Sequence, residues 1–403
     1  MTSPVVVAGA GVICSLGAGI QEFEAALYSG ATGIGHSVLL GGGAIAAEVR
    51  DFAPQKWLGS KGNRALDRSA RLLCVAAHMA LEGAGLATQD GTEGDPNIGL
   101  ICATMFGGLH SIVSFDWSGL VDGPDYVNPM EFPNTVINSP AGQAAIKHRL
   151  RGVNSTICAG LASGLYALHY AAEFLRFGRA QVLLAGGVEE LCEESFLGFR
   201  KTGAASPSGQ ARPFASGRDG TVVGEGSALW VLATEETAQA RGLRPRLEIR
   251  GFGSAHDAAG IGDFQLSGKA ATAAIEQALE SAEIGPAQVS AIIAGASGSR
   301  AGDEMERRAL RNVFQNRLRE IPVCAPKAAI GETLGASGAF AALVGGMALA
   351  RQNLPPTPGA SEAADGLRLS PSAQPFEGSC VLVNAFSCDG NNASLVLRSW
   401  GDR

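Results

Sequence analysis

The stretch 152–187 reads G-V-N-S-T-I-C-A-G-L-A-S-G-L-Y-A-L-H-Y-A-A-E-F-L-R-F-G-R-A-Q-V-L-L-A-G-G, and it limits the fold more than any other part of the chain. Ser155 to Cys158 is β-rich. Small residues then turn the chain into a helix that starts near Ala162 and carries Leu165, Leu168, Ala172 and Leu175 on one stripe. The helix stops at Gly178, and Val182 to Ala185 has the unbroken apolar character of a buried strand. A strand, a tight turn, a helix and a second buried strand call for a sheet with a crossover connection. The start of such a helix also favours chemistry. Its N-terminus carries partial positive charge and lowers the pKa of a thiol placed there, so the turn suits a nucleophile.

Strands and helices alternate along the rest of the chain. Strands are expected at Pro4 to Gly9, Ile98 to Ala103, Ser227 to Leu232, Arg246 to Gly253, Val289 to Ala294, Pro322 to Ala325, Val381 to Phe386 and Ala393 to Leu397. Helices are expected at Gln21 to Tyr28, Asp67 to Gly83, Ala141 to Leu150, Glu235 to Arg241, Lys269 to Ala282, Asp303 to Phe314 and Leu334 to Arg351. Leu109 to Val121 has partly helical spacing, and 125–140, with three prolines, reads as an irregular functional loop. Pro355 to Pro375 reads as a surface connection. The Gly-rich turn after the first strand is not a dinucleotide site, because no helix follows directly and no third glycine or ribose-binding acid is placed for one.

Charge and cysteine usage exclude several functions. A net charge of −7, with no long Lys/Arg run, argues against nucleic acid as a ligand. An acidic protein partner would need a local basic patch. The eight cysteines form no C-x-x-C pair, which fits a reducing compartment and no metal site. The N-terminus enters a strand without a charged leader, and no apolar run reaches the ~18 residues of a membrane span, so a soluble cytoplasmic protein is expected.

Arg212 to Gly226 reads R-P-F-A-S-G-R-D-G-T-V-V-G-E-G. It is nearly the R-P-F-D-x-x-R-D-G-F-x-x-G-E-G of the β-ketoacyl synthases, and the stretch 152–187 resembles their V-S-T-A-C-A-S-G elbow. The resemblance covers nearly the whole chain. It implies an α/β, thiolase-like fold: a duplicated five-layer α-β-α-β-α unit spanning 1–403, with pseudo-twofold halves 1–243 and 244–403. For Arg212, Arg218, Asp219 and Glu225 the expected role is structural, an Arg–carboxylate network that holds a Gly-rich loop.

The same resemblance places the chemistry and finds it altered. Aligned without gaps on Gly152, Asn154 and Ala162-Ser163-Gly164, the family's nucleophilic cysteine falls on Leu161. The family's first histidine, in A-H-G-T-x-T-x-x-x-D, falls on Gly295. Its second, in K-S-x-x-G-H-T-x-G-A-A-G, falls on Glu332, while the lysine of that frame is kept as Lys327. The oxyanion loop N-S-F-G-F-G-G-x-N becomes Asn384 to Asn392, with Ser387-Cys388-Asp389 in place of Gly-Phe-Gly. Leucine is no nucleophile, glycine has no side chain to donate a hydrogen bond, and a glutamate repels an enolate. The six histidines lie off these motifs, and Cys158, three residues early, is expected on the strand and pointing into the core.

The resemblance therefore implies a chain-length factor, also called ketosynthase β: a catalytically degenerate subunit, not an enzyme by itself. Such a subunit heterodimerises with an active ketosynthase, meets the acyl carrier protein through the complex, and uses no cofactor. Leucine rather than glutamine at the elbow resembles the aryl-polyene type of type II polyketide system. Aligned from Gly107-Gly108 to Gly123-Pro124, the positions that gate the acyl tunnel fall on Leu109, Ile112 and Asp116, followed by Phe132 and Pro133. Leu109 and Ile112 equally suit ordinary helix-face packing, and Asp116 suits water or the partner better than an apolar tube. Two other readings stay open: a malonyl-carrier decarboxylase or otherwise active synthase, and a structural homodimer that binds acyl carriers.

Overall fold

The computed structural model describes residues 3–87, 93–360 and 366–401. Long apolar runs in this chain become strands covered on both faces. The first part of the chain builds β1 (Val5–Cys14), α1 (Arg68–Gly83), β2 (Ile98–Ala103), α2 (Leu109–Val121), α3 (Ser139–His148), β3 (Asn154–Ile157), α4 (Ser163–Arg176), β4 (Val182–Glu189), α5 (Glu193–Lys201) and β5 (Gly226–Thr234). The second part builds β6 (Leu247–His256), α6 (Lys269–Ser281), β7 (Ala291–Ile293), α7 (Arg300–Phe314), β8 (Pro322–Cys324), α8 (Ser337–Arg351), β9 (Arg368–Leu369), β10 (Cys380–Phe386) and β11 (Asn391–Ser399).

Strand pairing repeats between the two parts. In the first the order is β1-β5-β4-β2-β3, with antiparallel pairs up to β4 and parallel pairs beyond. In the second it is β6-β11-β10-β7-β8, again antiparallel up to β10 and parallel beyond, with β9 added at the edge. An antiparallel match of Val5 to Val7 with Leu247 to Ile249 joins the two sheets.

Three apolar clusters mark the layers. One lies between α1 and the first sheet, with Leu72, Leu73, Leu100 and Val231. Another lies between α6, α7 and the second sheet, with Ile275, Leu310 and Leu382. The largest is the middle layer, where α4 and α8 bring Leu165, Leu168, Phe340 and Val344 against strands of both sheets. Helix, sheet, paired helices, sheet, helix is the duplicated thiolase-like arrangement expected from the resemblance.

The small residues of the middle layer set the position of the elbow. A Cβ on Gly164 would lie 2.4 Å from the Ala339 nitrogen, and one on Gly338 would lie 2.7 Å from the Leu165 nitrogen. No side chain fits at either point, so the first turns of α4 and α8 touch through backbone. Leu334–Arg351 is the one span among the described residues long and apolar enough to cross a membrane, and 89% of it is buried inside the fold. The expectation that no stretch meets that test is thereby corrected: the 3-10 turn Leu334–Ala336 and α8 together meet it, as a core segment.

Other expectations also change. β1 continues past Gly9 to Cys14, and β4 continues past Gly186 and Gly187 to Glu189. α5 had not been anticipated. The connection that starts at Pro355 is not wholly superficial: Leu354 to Thr357 are buried, and the Thr357 hydroxyl accepts from the Ala325 N–H at 3.1 Å.

Candidate functional site

Between β3 and α4 the chain turns on Gly160, whose φ is +56°. A Cβ there would strike the Ser387 hydroxyl at 2.3 Å, so glycine suits both the left-handed backbone and the crowding. The Ser163 hydroxyl ties the turn, donating to the Gly160 carbonyl at 2.6 Å and accepting from the Ala159 N–H at 2.8 Å. Leu161 therefore sits at the head of α4, buried. Its N–H donates to the Ser387 hydroxyl at 2.9 Å, and its carbonyl accepts from the Ser337 hydroxyl at 3.1 Å.

Leu161, Gly295, Lys327 and Glu332, read from separate motifs, line one cleft together with Phe264, Ser297, Ser299, Asp303, Glu306 and Phe386. The cleft's free volume is about 20 Å³. That is room for roughly one water and not for an acyl thioester. The segment after β7 brings Gly295 against β10, where a Cβ would lie 3.1 Å from the Asn384 carbonyl oxygen. A larger side chain at 295 requires the neighbouring strand to give way.

Glu332 and Lys327 form a buried ion pair at 2.7 Å, with side chains 2% and 6% exposed. The other carboxylate oxygen of Glu332 accepts from the Leu334 N–H at 3.0 Å. Its backbone is held by the Val222 carbonyl at 2.7 Å and the Gly224 N–H at 2.8 Å, so the Arg212–Gly226 segment braces this loop.

Two further buried acids flank the cleft. Asp303 accepts from the N–H groups of Phe214, Ser297 and Gly298. Burial still pushes it up to about 6, against those bonds and the nearby Arg218. Glu306 accepts from the Gly295 N–H and the Asn384 amide, each at 3.0 Å, yet burial pushes it up to about 7. Glu306 was not singled out from sequence. Its signal is the i, i+3 spacing from Asp303, which puts both acids on the buried face of α7.

The Arg–carboxylate contacts of the motif reach outside it. The four motif residues do not pair with one another. Glu225 takes both ends of the Arg68 guanidinium, at 2.5 and 2.7 Å, and accepts from the Val49 and Leu191 N–H groups. Arg218 lies 3.8 Å from Asp303 and donates to the Ala215 and Arg300 carbonyls. Asp219 accepts from Ser206 and Ser208, and Arg212 donates to the Gln210 side chain.

Cys158 is also corrected. It follows β3 and is exposed, not turned into the core, because the strand has ended at Ile157. Cys388 is half-buried on the 387–390 loop, and burial raises its thiol. None of the six histidines lines the cleft.

The residues expected to gate a tunnel form a separate group at the surface. Leu109 and Ile112 are half-buried on α2, Asp116 faces solvent, and Phe132, 60% exposed, and Pro133 lie on the following 3-10 turn. The Phe115 and Phe132 rings, 5.9 Å apart, bring that turn onto the helix. No residue of α2 is buried, and Trp117, Leu120, Val121, Tyr126, Met130 and Phe132 are all exposed.

An elbow at a helix start, two facing motif loops and a duplicated sheet define the class of condensing enzymes built on this fold. The β-ketoacyl synthase N-terminal domain matches residues 2–238 and the C-terminal domain residues 247–361, so the chain belongs to the β-ketoacyl synthase family. It is 30% identical to a 3-oxoacyl-[acyl-carrier-protein] synthase 2 of Coxiella burnetii over 98% of both chains. It is 32% identical to the protein of that name from Rhizobium meliloti, over 87% of this chain and 85% of the relative. Among solved structures it resembles the ishigamide ketosynthase/chain length factor, with a TM-score of 0.92, 28% identity and full coverage of both chains. It also resembles a type II polyketide ketosynthase solved with its acyl-carrier protein, with a TM-score of 0.88, 25% identity and coverage of 99% of this chain and 100% of the other.

Proposed function

We propose that this chain is the non-catalytic subunit of a ketosynthase pair, a chain-length factor that binds an active ketosynthase and shapes the tunnel for its growing acyl chain. The observation that carries the reading is at Leu161. The position suited to a thiol nucleophile holds an aliphatic side chain, and the N–H beside it is already bonded to Ser387. Gly295 offers no donor side chain, and the Glu332 carboxylate is committed to Lys327. A decarboxylated malonyl unit would find, at 295 and 332, neither of the two histidine donors that the family's motifs place there.

The exposed apolar surface of α2 and the residues after it supports a protein partner, since soluble monomers rarely leave such a patch uncovered. On this reading Leu109, Ile112 and Phe132 face the acyl tunnel at the partner interface, and Asp116 faces water or the partner. The acyl carrier protein meets the pair rather than this chain alone. Leucine in place of glutamine at the elbow favours a polyene-type product over an aromatic one.

Reconstitution tests the proposal. This chain alone should neither condense acyl units nor release carbon dioxide from malonyl carrier protein. Together with a partner that keeps cysteine and both histidines, it should give product. Decarboxylation by the isolated chain would favour the enzymatic reading that the names of the curated relatives suggest. A stable homodimer indifferent to any synthase would favour a structural one.

A further inference from the structure

The cleft is small partly because of a residue that belongs to none of its motifs. Phe264 lines the cleft from a loop between β6 and α6. Its ring lies over Gly302: a Cβ there would sit 3.0 to 3.3 Å from three ring atoms. The ring also packs, half-buried, against the apolar cluster of α6 and α7. The loop is pinned on both sides of the ring. The Gly262 N–H donates to the Cys388 carbonyl at 2.7 Å and the Asp257 N–H to the Gly390 carbonyl at 3.0 Å, while Arg308 donates to the Leu266 carbonyl at 3.0 Å. Gly260 and Gly262 have positive φ and open space around their α-carbons, and Ile261 between them is 96% exposed.

We propose that Phe264 is a plug: its ring, seated on Gly302 and latched to the 387–390 loop, closes this chain's own cleft to the thioester arm of an acyl carrier. The consequence rests on the pairing proposed above. With one of two mouths stoppered, a carrier that docks on the pair delivers its arm only to the active subunit. An aromatic ring suits the task, because it excludes water and substrate over a large rigid face. The Ser387–Leu161 bond and the Lys327–Glu332 pair then lie in a closed interior.

The test introduces a reporter thiol. In full-length Leu161→Cys, with the exposed Cys158 changed to Ser, alkylation of the introduced thiol by iodoacetamide is followed by peptide mass spectrometry. A closed cleft reacts only through transient opening, so labelling is slow. Phe264→Ala should speed it about tenfold or more. Gly302→Ala, whose Cβ would push the ring outward by a few tenths of an ångström, should speed it to a smaller extent, and it decides the matter if the first variant does not fold. Fast labelling with Phe264 in place, or equal rates in all three proteins, overturns the plug. The measurement is made on this chain alone, so its outcome is separate from whether a partner ketosynthase exists.

Discussion

Replacing Glu332 by glutamine keeps the shape of the side chain and removes its charge. The Lys327 ammonium then stays where it is, 6% exposed, with a neutral amide oxygen in place of a carboxylate at 2.7 Å. Breaking a buried ion pair from one side costs about 3–5 kcal/mol, because the remaining charge is left uncompensated in a medium that solvates it poorly. An exposed pair would lose only about 0–1 kcal/mol. Those ranges do not overlap, so the substitution reports whether the cleft is closed. Urea unfolding followed by circular dichroism gives the loss, and a cycle with Lys327→Met isolates the coupling. The double variant should recover most of what either single variant loses, since two neutral side chains leave no charge stranded. A Glu332→Gln penalty below about 1 kcal/mol, additive with that of Lys327→Met, would refute the reasoning and mean that water reaches the pair.

Ile112→Ala should lengthen the products of the reconstituted pair by at least one two-carbon unit. Truncating the wall removes the overpacking of about 1–3 kcal/mol that stops the chain, and unchanged products by mass spectrometry would remove Ile112 from the gate. Trp117→Glu, at a side chain 65% exposed, should leave thermal unfolding unchanged yet weaken partner binding roughly 30-fold by calorimetry, the effect of losing an aromatic anchor worth about 2 kcal/mol. Glu306→Gln should flatten the pH dependence of stability. Burial raises Glu306 from 4.5 to about 7 in the folded chain, so its contribution is complete below about pH 4.5 and is lost as pH rises through about 7. The slope in that window is about 1.4 kcal/mol per pH unit. The variant should match the parent at pH 4 and exceed it at pH 8 in urea titrations, and parallel curves would contradict the assignment.

Where periodicity was strong, sequence and structure agree. The elbow and its helix, and the buried strands at Ile98 and Val182, follow from apolar runs broken by glycine. The sequence also brought Leu161, Gly295, Lys327 and Glu332 into one site through their motif frames alone. The failures have physical causes. Ala10 and Gly11 read as a turn, but they lie within β1, where the strand presses against α1: a Cβ on Gly11 would lie 2.0 Å from the Ala76 carbonyl oxygen. α5 was missed because its nine residues, E-E-S-F-L-G-F-R-K, are short, charged at both ends and interrupted by Gly198. Its acidic first turn and basic last turn complement the helix dipole and were the available signal. Phe264 carried no signal, since its role depends on Gly302, far along the chain, lying flat beneath it.

Intact-protein mass spectrometry of the reconstituted pair, quenched during turnover with acyl and malonyl carrier proteins, tests the central claim most directly. The expected result is an acyl adduct on the partner ketosynthase and none on this chain. An acyl group covalently attached to this polypeptide would contradict the account.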